Sequence, residues 1–119
     1  MKLLIADDSL LMRKAVERSL AEKKFTLSGS AGDGEEALRM FKETLPDLVT
    51  LDISMPKIDG LTVLAEMKKI KPDVKVLMIT SQSDTLTASQ AIEKGAAGIL
   101  GKPFNTEQII NKINEILGL

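Results

Sequence analysis

The chain contains no cysteine, histidine, tryptophan or tyrosine. Without cysteine there is no disulfide framework, zinc–thiolate centre or thiol nucleophile. Without histidine there is no Ser-His-Asp triad, imidazole base or histidine metal ligand. Three phenylalanines are the entire aromatic complement, too few for a base-stacking platform. Neither charge sign dominates: 16 basic and 17 acidic side chains leave a net charge of −1, which gives no footprint for nucleic acid or an anionic membrane. Long apolar runs are also missing. Leu3–Ala6 is broken off by Asp7 and Asp8, too short for a signal-peptide core, and no run approaches membrane-spanning length.

What is present reads as one soluble, cytoplasmic domain spanning residues 1–119. The composition is 44% apolar and 28% charged, outside the disordered class. Size scaling gives about 6,000 Å² of folded surface from about 19,000 Å² unfolded, enough for one core. Any chemistry must come from carboxylates, hydroxyls, lysines or a hard metal.

Apolar runs alternate with amphipathic stretches. Leu3–Ala6, Phe25–Ala31, Leu48–Leu51, Val74–Thr80 and Ala97–Leu100 read as strands. Between them, apolar residues recur at helical spacing. Ser9, Asp33 and Asn105 stand as N-caps, with Gln108 at the capping-box position. A helix over 84–94 carries Thr85, Thr87 and Ser89, which weaken it, and Gly95 ends it. The βα unit repeated five times predicts a parallel α/β sheet covered by helices on both faces, with right-handed crossovers.

In such a sheet, ligands sit beyond the carboxyl ends of the strands. The residues there are Asp7 and Asp8, Asp52, Thr80 with Ser81, and Lys102. Each alone has an ordinary use. Acidic pairs cap helices, and Asp47, Asp59 and Asp73 read as turn formers. Thr80 fits a strand, Lys102 a solvated surface. The conjunction points further, because four strands deliver compatible groups at one end. Three crowded carboxylates repel unless neutralised, and a hard divalent cation does this best. Magnesium prefers oxygen ligands and keeps waters for a phosphate partner. Lysine and a hydroxyl suit the remaining phosphoryl oxygens. A carboxylate is itself a legitimate phosphoryl acceptor.

Four motifs, in this order and spacing, resemble the receiver domain of two-component response regulators over the whole chain. They are Leu4-Ile5-Ala6-Asp7-Asp8-Ser9, Leu51–Pro56 with Asp59-Gly60, Ile79-Thr80-Ser81, and Gly101-Lys102-Pro103-Phe104. The start through Ser9, Met12 and Arg13 is most similar to stand-alone chemotaxis-type regulators. The resemblance implies a doubly wound, flavodoxin-like sheet of order 2-1-3-4-5 with five helices. It implies that Asp52 accepts a phosphoryl group from a phosphohistidine of a sensor histidine kinase, and that the chain is not otherwise an enzyme. It implies Mg²⁺ bound directly by Asp8 and Asp52, through water by Asp7, and by the backbone carbonyl of Ser54. Lys102 would pair with the phosphoryl group, Thr80 would move to hydrogen-bond it, and the Lys102–Pro103 bond would be cis. The output face would be the fourth helix, fifth strand and fifth helix of a monomer, engaging a downstream protein rather than nucleic acid or membrane.

One departure matters. The family usually places Tyr or Phe where this chain has Ile99, and a branched aliphatic side chain cannot rotate an aromatic ring inward. Ser81 is a milder departure, and Ser54 and Gln82 flank the site where the family tunes phosphoryl lifetime. Competing readings are a constitutive interaction module or phosphate sink, the receiver half of a DNA-binding regulator, and a magnesium-dependent phosphatase. The last ranks low, because Ser54 stands where aspartate-nucleophile hydrolases carry a second acid. The Lys68, Lys69, Lys71 and Lys75 cluster reads as a solvated face.

Overall fold

Each apolar run forms a strand and each periodic stretch a helix. A computed structural model describes residues 1–81 and 85–119, so Gln82 and Asp84, named above, lie outside the described residues. The elements are β1 (Lys2–Ala6), α1 (Leu10–Ser19), β2 (Thr26–Ala31), α2 (Gly34–Thr44), β3 (Leu48–Asp52), α3 (Gly60–Ile70), β4 (Lys75–Ser81), α4 (Thr85–Glu93), β5 (Gly98–Lys102) and α5 (Thr106–Leu117). All pairings are parallel, in the order β2-β1-β3-β4-β5. The expected doubly wound topology is the one observed.

Strand periodicity divides the core into two layers. Leu3, Ile5, Leu48, Leu77, Ile79 and Leu100 pack against Val16 of α1, Leu20 just after it, and Ile109 and Ile113 of α5. Leu4, Ala6, Val49, Leu51, Val76 and Met78 face Phe41 of α2, Leu64 and Met67 of α3, and Ala91 of α4. The accessible surface, 6218 Å², matches the size-scaling expectation. β2 is the least buried strand, and its register slips opposite Leu3 and Leu4, where Ser28 is the extra residue. Ser28 Oγ donates to the Leu3 carbonyl at 3.2 Å across that bulge. Among the described residues, no helix is long and apolar enough to cross a membrane.

The caps sit where the sequence puts them. Ser9 Oγ accepts from Met12 N at 3.2 Å, and Asp33 Oδ1 from Glu36 N at 2.8 Å. Asn105 and Gln108 form a reciprocal capping box, both bonds 2.8 Å. Two readings change. Asp59 is not merely a turn former: it caps α3, accepting from Thr62 N at 3.0 Å. Nor are Lys68 and Lys71 simply solvated. Lys68 Nζ donates to the carbonyls of Pro72 and Val74. Lys71 Nζ donates to the carbonyls of Leu45 and Pro46 and pairs with Asp47 at 3.2 Å. The reason is physical: chain reversals after helices leave carbonyls without intrahelical donors, and a flexible ammonium can serve several.

Asp47 also accepts from Lys2 N at 2.8 Å, so it ties the start of β1 to the turn before β3. That N–H, and then Lys71, hold its carboxyl below the usual 3.8. A lowered carboxylate pKa adds stability above the ordinary value, and the gain is lost as pH falls through the folded-state value. Asp47→Asn should lower the urea midpoint at pH 7 and flatten its decline between pH 5 and pH 2, since part of the acid sensitivity is removed. Thr50 is buried on the α1–α5 side, and its hydroxyl meets no partner among the described residues. An unsatisfied buried hydroxyl costs more than its methyl isostere. Thr50→Val should raise stability by about 1 kcal/mol, read as a higher urea midpoint with unchanged slope.

Candidate functional site

Topology brings the acids together. β1 and β3 are neighbours, while the chain leaves β1 for β2 on its other side, so their carboxyl ends border the switch-point crevice. Asp7 directly follows β1, and its N–H donates to the Ala31 carbonyl at 3.0 Å. Asp52 is the last residue of β3, in register with Ile79. Beyond it the chain stays close, because Gly60, the first residue of α3, donates to the Ile53 carbonyl at 2.9 Å. A Cβ on Gly60 would lie 2.5 Å from the Asp52 carbonyl oxygen, so only glycine lets α3 start there.

Asp7 and Asp52 are buried, at 2% and 4% exposure, whereas Asp8 is exposed. One carboxylate oxygen from each of Asp7, Asp8 and Asp52 lies within 4.8 Å of the others. Lys102 closes the group from β5. Its ammonium lies 3.1 Å from Asp7 Oδ2 and 3.4 Å from Asp52 Oδ2. Ser9 N donates to Asp7 Oδ1 at 2.9 Å, and Ser54 N to Asp52 Oδ1 at 3.4 Å. The Lys102–Pro103 peptide is cis. Thr80 is buried beside this group, but its hydroxyl donates to the Ser81 carbonyl at 3.3 Å. Ile99 packs against the core layer shared by α2, α3 and α4.

Burial, and then the charge of Asp7, push the Asp52 carboxyl above its ordinary value, with Lys102 only partly offsetting them. Burial works to discharge Lys102, but the hydrogen bond to Asp7 and the charges of Asp52 and Asp7 outweigh it and raise its pKa. The site thus holds three carboxylates against one ammonium. Its donors are all oxygens, from two buried acids and one exposed acid, a set that fits a hard divalent cation rather than a soft one.

A family model described as the response regulator receiver domain matches residues 3–114. The chain belongs to that family. The receiver is 34% identical over 116 residues to the chemotaxis protein CheY of Bacillus subtilis, covering 98% of this chain and 97% of that one. Its fold superposes on CheY in the CheX–CheY–BeF₃–Mg²⁺ complex from Borrelia burgdorferi with a TM-score of 0.93, at 29% identity over 98% of this chain and 89% of that one. The receiver domain of NtrX from Brucella abortus gives a TM-score of 0.90 at 32% identity, covering 98% of both chains.

Of the residues singled out from sequence, Asp7, Asp8, Asp52 and Lys102 converge, and Ser54 joins them through its N–H. Thr80 is adjacent but turned to its own strand. Sequence reasoning used Arg13 only for the likeness of the chain's start and did not place it at the site, where its guanidinium Nη1 donates to the Asp7 carbonyl. Its signal was a cation near the start of a helix with no acid in its first turn.

The carboxyl titrations give a direct test in metal-free buffer. Asp52, followed by its ¹³Cγ shift, should titrate above the ordinary carboxylate range. Lys102→Met should move it higher, and Asp7→Asn should move it lower. A normal value in the parent protein would remove the electrostatic coupling described above.

Proposed function

We propose that this receiver is a phosphoacceptor switch, a single domain over residues 1–119. The observation that carries the reading is the buried Asp52 carboxylate, bracketed by Asp7 and by the Lys102 ammonium at 3.4 Å. With no histidine in the chain, the donor must be another molecule, and a sensor histidine kinase in the cytoplasm fits. An Asp52 oxygen attacks phosphorus, the N–P bond of the phosphohistidine breaks, and the imidazole nitrogen leaves with the electron pair and takes up a proton. An aspartyl phosphate remains. Positioning and charge neutralisation supply most of such catalysis. The chain then acts as acceptor and slow self-hydrolase, not as an enzyme on other substrates.

Asp7, Asp8, Asp52 and the Ser54 carbonyl would hold Mg²⁺, which when bound supplies neutralising charge for the phosphoryl oxygens. Lys102 is placed to trade its two carboxylates for the new group. The Thr80 hydroxyl now spends its proton on a neutral carbonyl, and a phosphoryl oxygen is a stronger acceptor. Turning Thr80 inward would reshape the connection to α4, whose Thr and Ser content makes it the helix least committed to its position. The face of α4, β5 and α5 would then carry the signal to a downstream protein, with chemotaxis as the pathway suggested by the CheY-type relatives. The near-zero net charge supports neither nucleic-acid nor membrane contact, and the domain is read as a monomer.

Ile99 favours a second reading. Packed against the core in the usual aromatic position, it leaves the Thr80 half of the switch without its partner, so an unswitched interaction module or phosphate sink retains support. Incubation with Mg²⁺ and acetyl phosphate should add one phosphoryl group by intact mass, with no gain in Asp52→Asn or without magnesium. Amide exchange in α4 should then change on phosphorylation. A mass gain with unaltered exchange selects the unswitched module, and no gain at any magnesium concentration rejects phosphoacceptance.

A further inference from the structure

The placement of Arg13 is expensive, and its cost has to be explained. Arg13 sits in the second turn of α1, and its side chain runs back along the helix, as long helical side chains do. That brings a cation to the amino end of α1, where the helix dipole disfavours positive charge. No acid occupies the first turn to offset it. The Nε of Arg13 is moreover buried and meets no partner among the described residues. Buried polar groups left unpaired in this way are costly and uncommon.

What the arrangement secures is one hydrogen bond, from Nη1 to the main-chain carbonyl of Asp7. Asp7 lies just past Ala6, the last residue of β1 in register with β3. Its N–H is held by Ala31, and its carbonyl is held by Arg13. With both main-chain groups fixed, the carboxylate is aimed at Lys102 and Asp52. Gly32 makes room for this. A Cβ there would lie 3.2 Å from Arg13 Nη1, so the guanidinium would have to give way by a few tenths of an ångström. Arg13 and Gly32 are therefore one device, built from α1 and the turn after β2, that seats the Asp7–Asp8 corner.

We infer that Arg13 is a positioning residue for the acidic site, acting on Mg²⁺ through the Asp7 carbonyl, with Gly32 as the space it requires. This rests on the reading of Asp7, Asp8 and Asp52 as the magnesium site. The inference has a sign that a simple charge effect lacks. A cation beside a metal site repels the metal, so if charge alone mattered, deleting Arg13 would tighten magnesium binding. If positioning matters, deletion loosens it, as losses in the supporting shell of a metal site generally do.

The experiment is a MgCl₂ titration of the unphosphorylated protein, followed through the amide resonances of Ser9 and Ser54, with melting temperature measured alongside. Arg13→Ala should weaken magnesium binding roughly tenfold. Gly32→Ala should weaken it in the parent protein and add nothing in the Arg13→Ala background, since coupled residues are non-additive. Arg13→Lys, which keeps a donor, should recover part of the loss. Unchanged or tighter binding in Arg13→Ala overturns the inference, as does a lowered melting temperature with unchanged affinity, which would make the role structural. Full additivity of the two substitutions overturns the shared device. Absence of any magnesium response in the parent protein overturns the metal reading and this inference together, an outcome distinct from parent binding that Arg13 does not affect.

Discussion

The Lys102 bridge to Asp7 and Asp52 is the constraint around which the rest of the structure is arranged. Two carboxylates at the ends of adjacent buried strands cannot both stay charged in a dry sheet edge without a counter-charge. The counter-charge comes from Lys102 of β5, the far edge strand, whereas the guanidinium of Arg13 is engaged at the Asp7 main-chain carbonyl. β5 is three strand spacings from β1, about 14 Å. Lysine covers that distance because the sheet twists and its stem is long. The sheet interior can then be apolar almost throughout, with Asp7, Thr50, Asp52 and Thr80 as its buried polar residues among those described.

The bridge does not fully compensate. Burial, and then the charge of Asp7, keep the Asp52 carboxyl above its ordinary value, and neither Lys102, which is shared, nor the Ser54 N–H fully offsets them. Asp7 is better served, with Ser9 N–H and Lys102 on separate oxygens. The two acids are thus unequal by construction. Asp7 is fixed by bonds of 2.9 and 3.1 Å, whereas Asp52 is held less firmly, by contacts of 3.4 Å. On the proposed reading Asp52 is the group that reacts, and such sites are commonly left less stable than the rest of a fold.

Most of this architecture could be read from the sequence, for identifiable reasons. Leu3–Ala6, Leu48–Leu51 and Val74–Thr80 read as strands because parallel strands buried on both faces have no polar alternation to confuse with a helix. Ser9, Asp33 and Asn105 were legible because capping is a local interaction. The acidic convergence was legible because one topological rule places every strand end on the same rim. What escaped depended on distance in space. Lys71 looked like one lysine in a solvated cluster, since its carbonyl partners at Leu45 and Pro46 are more than twenty residues away. Thr50 looked like an ordinary strand residue, since nothing local says that its hydroxyl finds no acceptor among the described residues. Arg13 stood out only in the likeness of the chain's start, since its contact runs backward past the cap.

Ile99 and Thr80 show how the same fold can divide a conformational signal. Both lie near the ends of neighbouring strands, and both face the layer of α3 and α4. Thr80 has a polar handle, so its position can respond to a new charge at Asp52. Ile99 has none. Its β-branched side chain is confined to few rotamers and is packed against core aliphatics, so it has little reason to move when Thr80 does. On the proposed reading, the charge at Asp52 would therefore reach α4 through the backbone that follows Thr80 and not through a side chain on β5. That route needs a helix whose position is cheaply altered. Thr85, Thr87 and Ser89 give α4 lower intrinsic propensity than α2, in which Glu35, Glu36, Leu38 and Met40 are all strong helix formers. A helix of low intrinsic propensity thus follows the strand that carries Thr80, so on the proposed reading local propensity and the placement of Thr80 beside Asp52 point to the same output.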